Sequence, residues 1–535
     1  MSNLVPGVLL HHFAIAVLLA LPVSLVVLAW YRRAVLRRMR ERGSAGPDAP
    51  RLAPMAAAHT AQAQATAPPP DQLRLRVRLV VVYTLAAIAA SAVSASLYLT
   101  SFGLPFAALR AFMMGYALAW PLVPTLAVML TLSLRQGVKL LLGYYLVGAA
   151  VVVLWSFVSA AVLGRPGVSP MGSLGAYTGF LAVEALPPLA VIAVTSGRKL
   201  RPVTPLVLAG LLVFSFSALG VRAGFLSLLD SAALRKMLLV FHHSDVVWFM
   251  LASLPVAYAC WLALRALARG YEAKAFSDTQ LVVDSWWLIA AFSTSVSLAT
   301  VSQWWGLLGL LAFVAYRAVV TVGLVLWPID GRSGARRLLL LRVFGFRRRT
   351  ERLFDAVGER WRLSGSVQMI GGTDVAGRTL DPGDIVGFVG GRLRDQFVSD
   401  RAHLEQRLAD LDEARDPDGR FRVNEFLCHD DTWQGTLESL LLRSEVVLMD
   451  LRGFSHANSG CLYELGKLAE HRRLERTLFV VDGTTDVELL RATLAQAAAA
   501  GGAQGAPALH MVHTSGPSSL ELGRILGSLS ALSAA

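Results

Sequence analysis

The residues best placed to do chemistry lie in one stretch, VVLMDLRGFSHANSGCLYELGKLAE, over 446–470. An apolar run ends in Asp450, Arg452 follows, and Ser459, Gly460 and Glu464 come soon after. Asn458 or Ser459 can cap a helix that begins there. Gly460 lets a ligand approach the backbone, and the unpaired N–H groups of a helix start favour an anion such as phosphate. Glu464 then faces the same crevice from the first turn or so of that helix. Arg452 can offer phosphate a counter-charge.

Those groups need elements to hold them, and the pattern after Pro328 supplies them. ARRLLLLRVFG, VQMIGG, RFRVNEFLCHD, EVVLMDLRGF, RTLFVVDG and ALHMVHT read as strands. RTERLFDAVGERW, WQGTLESLLLRS, SGCLYELGKLAEHRRL, TDVELLRATLAQA and SLELGRILGSLSAL read as helices, as does the long stretch DIVGFVGGRLRDQFVSDRAHLEQRLADL. Apolar strands alternating with helices predict a parallel sheet covered on both faces, a flavodoxin-like or doubly wound α/β domain over 335–535. In such sheets the ligand crevice lies at the carboxyl ends of the strands. Read from the second strand onward, those ends carry Gly371, Gly372, Thr373 and Asp374, then His429, Asp430, Asp431 and Trp433, then Asp450 and Arg452, then Asp482, then His513. Each alone suits a turn or a cap. Their convergence on one rim points to a site for a nucleotide-like small molecule.

The stretch from Asp450 to Gly466 resembles the nucleoside 2-deoxyribosyltransferase pattern, in which an aspartate-ended strand precedes a Ser/Gly turn and a Glu-Leu-Gly helix. It also resembles the Toll/interleukin-1 receptor (TIR) pattern, in which a serine-rich loop and a cysteine precede a Glu-Leu helix. Those families share a flavodoxin-like sheet and cleave N-glycosidic bonds of nucleosides or NAD. The resemblance implies that Glu464 is the catalytic carboxylate, that Asp450 orients it or acts as an acid, and that NAD or another nucleotide is the substrate. Breaking such a bond builds oxocarbenium character on the ribose, which a carboxylate stabilises or attacks. Trp433 is suited to stack on a base or nicotinamide ring.

Before Pro328 the composition is different. Charged residues make up 16% of the whole chain, against about a quarter in soluble domains, and the deficit lies in this part. Nine stretches have the roughly 20 mostly apolar residues a membrane span needs: Leu9 to Trp30, Leu79 to Leu99, Ala111 to Leu132, Leu140 to Leu163, Ser173 to Ser196, Pro205 to Leu226, Val246 to Leu264, Leu281 to Val301 and Gly306 to Trp327. The first has no basic run before it and no small-residue cleavage site, so it reads as an uncleaved span. Residues 1–40 thus form a first span with its basic flank, 41–73 an Ala/Pro-rich flexible linker, and 74–330 a bundle of about eight spans. Every second loop is rich in arginine and lysine, which places the N-terminus outside and the C-terminal domain in the cytoplasm of a cell whose inner (plasma) membrane holds the chain.

The same rule accounts for the net charge of +13, so nucleic acid is not an expected partner. The lipid bilayer is, and a second copy of the chain is a candidate. Three cysteines, Cys260, Cys428 and Cys461, have no metal-ligand spacing, and no metal site or certain cofactor is expected. Glu184 and Arg317 each lie about eleven residues into spans that run in the same direction, which favours an intramembrane ion pair, with Asp284 as an alternative partner. Pro121 with Pro124, and Pro187 with Pro188, should bend their spans. Trp286, Trp287, Trp304 and Trp305 read as interfacial anchors. The functional expectation is a membrane-anchored sensor or effector with a nucleotide-binding, N-glycosidase domain. The alternatives are a non-catalytic signalling or scaffold protein, or a transporter with a regulatory tail. No internal repeat supports the last.

Overall fold

The computed structural model describes residues 5–41, 72–162, 169–195, 200–214, 245–329, 336–343, 347–371, 382–500, 509–514 and 519–533. The chain divides into two compact units, 1–28 with 76–328 and 381–386, and 29–75 with 329–380 and 387–535. Most of the expected linker, 42–71, lies outside the described residues, as do Gly372, Thr373 and Asp374.

Five helices are long and apolar enough to cross a membrane: Ala14–Met39, Leu73–Ser101, Leu134–Ala161, Asp278–Ala299 and Trp304–Leu326. Two pairs, Ala108–Leu118 with Leu122–Met129 and Pro170–Glu184 with Leu186–Thr195, pass the same test together but bend by 47° and 44°. Among the described residues the count is therefore five spans, or seven with each bent pair taken as one. A helix over Asp245–Glu272 and a shorter apolar one, Thr204–Phe214, accompany them. The sixth expected span is described only as far as residue 214.

The bends fall at the prolines. Pro187 and Pro188 have no N–H, so the carbonyls four residues earlier, on Val183 and Glu184, lose their helical donors. Ser293 Oγ donates to the Glu184 carbonyl at 3.3 Å instead.

The expected Glu184–Arg317 pair is not formed. Arg317 Nη1 lies 2.8 Å from Asp284 Oδ2, and Tyr316 Oη donates to Asp284 Oδ1 at 3.0 Å. Glu184 instead accepts hydrogen bonds from Tyr98 and Ser297. Ser297 and Asp284 stand on one helix, Asp278–Ala299, and their offset of thirteen positions spans about 20 Å at the α-helical rise. Counting from span ends assumes straight helices, and the span of Glu184 bends by 44° at that residue while that of Arg317 is interrupted between Gly309 and Leu311. Trp286 and Trp287 also depart from the anchor reading. Both are buried, and Trp287 donates to Thr125 Oγ1 at 3.1 Å. Trp304 is exposed.

In the second unit seven parallel strands form one sheet: β1 Arg336–Arg342, β2 Gly365–Gly371, β3 Phe397–Val398, β4 Val423–Cys428, β5 Val446–Asp450, β6 Thr477–Val481 and β7 His510–His513. The order is β3-β4-β2-β1-β5-β6-β7. Within it β2-β1-β5-β6-β7 keep the 2-1-3-4-5 sequence of flavodoxin-like sheets, and β4 with β3 extends the β2 edge. Counted without the two-residue β3, the order is 3-2-1-4-5-6, that of doubly wound dinucleotide-binding sheets.

Side chains alternate between the faces as the pleat requires. Leu339, Leu341, Val447, Met449, Phe479 and Val481 pack on one side with residues of α3 (Trp433–Arg443), α4 (Ser459–Glu470) and α5 (Val487–Ala500). Leu338, Leu340, Val446, Leu448, Leu478 and Val480 pack on the other with α1 (Arg347–Trp361) and α6 (Ser519–Leu532). The chain leaves β1 for one face and β5 for the other, so the topological switch lies between these neighbours. The expected long helix over 384–411 is broken. A helix over Pro382–Val389 ends near Gly391, at φ +78°, then come a 3₁₀ turn, β3, and α2 (Arg401–Ala409), which Asp400 caps by accepting from His403 N.

Candidate functional site

A cavity of about 280 Å³ opens at the carboxyl ends of β1, β2 and β4, beside the start of α4. Its wall includes Arg342, Gly371, Cys428, His429, Asp430, Trp433, Gly460 and Glu464. Met39, at the end of the first helix and in the same compact unit, also lines it. Six residues expected at a site from sequence thus meet at one cavity: Glu464, Trp433, His429, Asp430, Gly460 and Gly371.

Glu464 is the group with the most unusual environment. It is 3% exposed, and its Oε2 makes no hydrogen bond among the described residues. Burial pushes its carboxyl up to about 8, while Arg342 nearby pulls the other way. Burial disfavours the charged form of an acid and a nearby cation favours it, and here burial dominates. Arg342 ends β1, is itself buried, and lies over the Phe354 ring at 5.9 Å. The Cys461 thiol donates to the Arg342 carbonyl at 3.4 Å, which ties the start of α4 to the end of β1.

Trp433 opens α3 and is half-buried. The Tyr463 ring meets it edge-on at 5.3 Å between centroids. Tyr463 is held in turn by donating to Glu438 at 2.6 Å, and Lys467 lies 3.0 Å from the same carboxylate. His429 Nδ1 lies 2.9 Å from the carbonyl oxygens of Arg38 and Glu41. Both contacts suit a proton on Nδ1, because each partner is an acceptor. Burial raises the Cys428 thiol to about 11, so it is not a nucleophile near neutral pH.

Other expected site residues are placed differently. Asp450 and Arg452 do not line the cavity. They form a buried, two-pronged pair, with Arg452 Nε and Nη2 donating to Asp450 Oδ1 and Oδ2 at 2.8 and 2.7 Å. This corrects the reading of Asp450 as a partner acid and of Arg452 as a phosphate counter-charge, because each is taken up by the other. Asn458 occupies the N-cap of α4, yet its side chain accepts from Ser455 and not from the helix. Ser459 begins the helix, is exposed, and is not a cavity residue. Asp431 is exposed beside Asp430 and also lies off the cavity wall. Asp482 accepts from Thr484 in its own turn, and His513 is exposed at the far edge strand.

Gly371 does line the cavity, but a Cβ there would come within 2.6 Å of Glu425 Oε1 and 2.7 Å of Leu427 Cδ2. Both atoms are ends of flexible side chains on β4, which would have to shift to admit a Cβ. Arg342 was missed by reading strand ends from the second strand onward. It is the charged residue that closes the first apolar strand, RRLLLLR, and the same rule applied to β1 identifies it. No family model, curated protein or solved structure matches the chain.

Proposed function

We propose that this is a multi-pass protein of the inner (plasma) membrane whose cytoplasmic α/β domain binds a nucleotide-like molecule and cleaves its N-glycosidic bond. Nine spans with the N-terminus outside are the arrangement in which the basic loops alternate regularly. The observation that carries the chemical reading is Glu464, buried in the cavity wall with one oxygen unbonded among the described residues and a carboxyl raised to about 8. Near neutral pH such a group holds its proton. It can then protonate the departing base of a neutral nucleoside. Once ionised, it can face the positively charged sugar.

The cavity size narrows the ligand. About 280 Å³ is at the small end of the roughly 300–1,000 Å³ usual for ligand sites. It suits one sugar with its ring, such as a nucleoside or the nicotinamide riboside end of NAD. Trp433, braced by Tyr463, offers an aromatic surface for that ring.

The test uses full-length protein in lipid nanodiscs, incubated with NAD and with nucleosides, with free base followed by chromatography. The wild type should release base, and Glu464→Gln should lower the rate by about 100-fold or more, as for loss of a general acid. No release by the wild type with any of these compounds removes the enzymatic reading. One observation favours a second reading, a non-catalytic binding module. Asp450 is neutralised by Arg452, so Glu464 is the one buried carboxylic side chain in the cavity wall among the described residues. Calorimetric binding of a nucleoside without base release in the same sample would establish that alternative.

A further inference from the structure

We propose that Glu184 is a proton-binding site inside the helical bundle, distinct from the Asp284–Arg317 ion pair. Glu184 is the last residue of Pro170–Glu184, at the 44° break before Leu186–Thr195. It is 4% exposed. Its Oε1 accepts from Tyr98 Oη at 2.5 Å and from Ser297 Oγ, and its carbonyl accepts from Ser293 Oγ at 3.3 Å. Its Oε2 is buried with no hydrogen-bond partner among the described residues. A carboxylate with an unsatisfied oxygen is costly in a low-dielectric interior, and no cation lies beside this one among the described residues. A proton on Oε2 removes the charge and leaves both hydroxyl bonds to Oε1 in place.

The neighbours argue for a proton over a metal ion. Tyr98, from the helix Gln72–Ser101, is the titratable side chain that touches the carboxyl among the described residues. Its ring is packed against Phe102 and Phe180. The helix Asp278–Ala299 presents Ser293 and Ser297, while its Asp284 is paired with Arg317. On the helices Leu134–Val162 and Ala108–Leu118, Tyr144 and Tyr116 bond to each other's carbonyls, and Tyr145 bonds to Thr178. Tyr98, Ser293 and Ser297 already direct their protons at Glu184 itself, whereas a cation would need those oxygens turned toward it as ligands. In the binding step hydronium gives its proton to Oε2, an O–H bond forms there, and water leaves. Release is the reverse.

Full-length protein in nanodiscs, followed by infrared difference spectroscopy across pH, tests this directly. The wild type should show a protonated-carboxyl C=O band that shifts in D₂O, disappears at high pH, and is absent in Glu184→Gln. Exchanging sodium for potassium or choline should leave the titration unchanged. Tyr98→Phe removes one hydrogen bond to the carboxyl and should move the band's frequency, which assigns the band even if the Gln variant folds poorly. Identical wild-type and Glu184→Gln spectra with no effect of Tyr98→Phe would overturn the proposal. So would a titration displaced by sodium, which would assign a cation site instead.

Discussion

Glu464 is a weaker acid than a solvated glutamate because its cavity penalises the carboxylate more than Arg342 compensates. That single property separates two kinds of substrate. A neutral nucleoside needs a proton on its departing base, so kcat/KM should be level below about pH 8 and fall roughly tenfold per unit above it. A positively charged N-glycoside such as NAD already carries a good leaving group and needs the carboxylate. Its kcat/KM should climb to about pH 8 and then level off. The two profiles slope oppositely, and Glu464→Gln should flatten both. Stability follows the same sign. The folded-state value of about 8 lies above the ordinary 4.5, so the neutral acid's contribution is full below about pH 4.5 and is lost as pH rises through about 8. Glu464→Gln should therefore match the wild type in thermal stability at the acid end and exceed it increasingly toward alkaline pH. An unchanged difference across that range would mean the carboxyl is better solvated than its surroundings imply.

Helix α4 shows how far local pattern reaches. Its span was readable from SGCLYELGKLAE because an apolar stripe repeats at helical spacing, and the six principal strands were readable from apolar runs ending in polar groups. What pattern did not contain was pairing. Asp450 and Arg452 sit two positions apart, and nothing in that spacing says that the arginine folds back on the aspartate. Likewise, depth along a span said nothing about the partners of Glu184, which are Tyr98 and Ser297. Two glycines make the element-scale test. Gly466 lies within α4, where a Cβ would meet nothing within 4 Å, whereas a Cβ on Gly365 would run into the Arg336 backbone across the β1–β2 pairing. Gly466→Ala should slow hydrogen exchange over 459–470, consistent with about 1 kcal/mol of helix stabilisation. Gly365→Ala should speed exchange over 365–371, by the roughly 1–3 kcal/mol typical of overpacking. Lost base release in a stabilised Gly466→Ala protein would show that this glycine serves the ligand.

At the scale of the whole molecule, the net charge of +13 and the uneven hydropathy are one fact. Arginines and lysines gather in every second connection between apolar helices, and the membrane potential and translocation machinery favour keeping such connections inside. The order proposed above has the connection that contains Leu104 outside and the α/β domain inside. Leu104 and Thr484 are both exposed, so a cysteine at either site should be reachable by a soluble reagent. The native thiols of Cys428 and Cys461 are buried, and Cys260 is partly so within an apolar helix. In intact cells a membrane-impermeant maleimide should label Leu104→Cys and spare Thr484→Cys, and permeabilisation should expose the latter. The unsubstituted protein is the background control. Labelling of both sites from outside, or of Thr484→Cys alone, would break the alternation. The α/β domain would then have to face away from the cytoplasmic nucleotide pool that its cavity is proposed to meet.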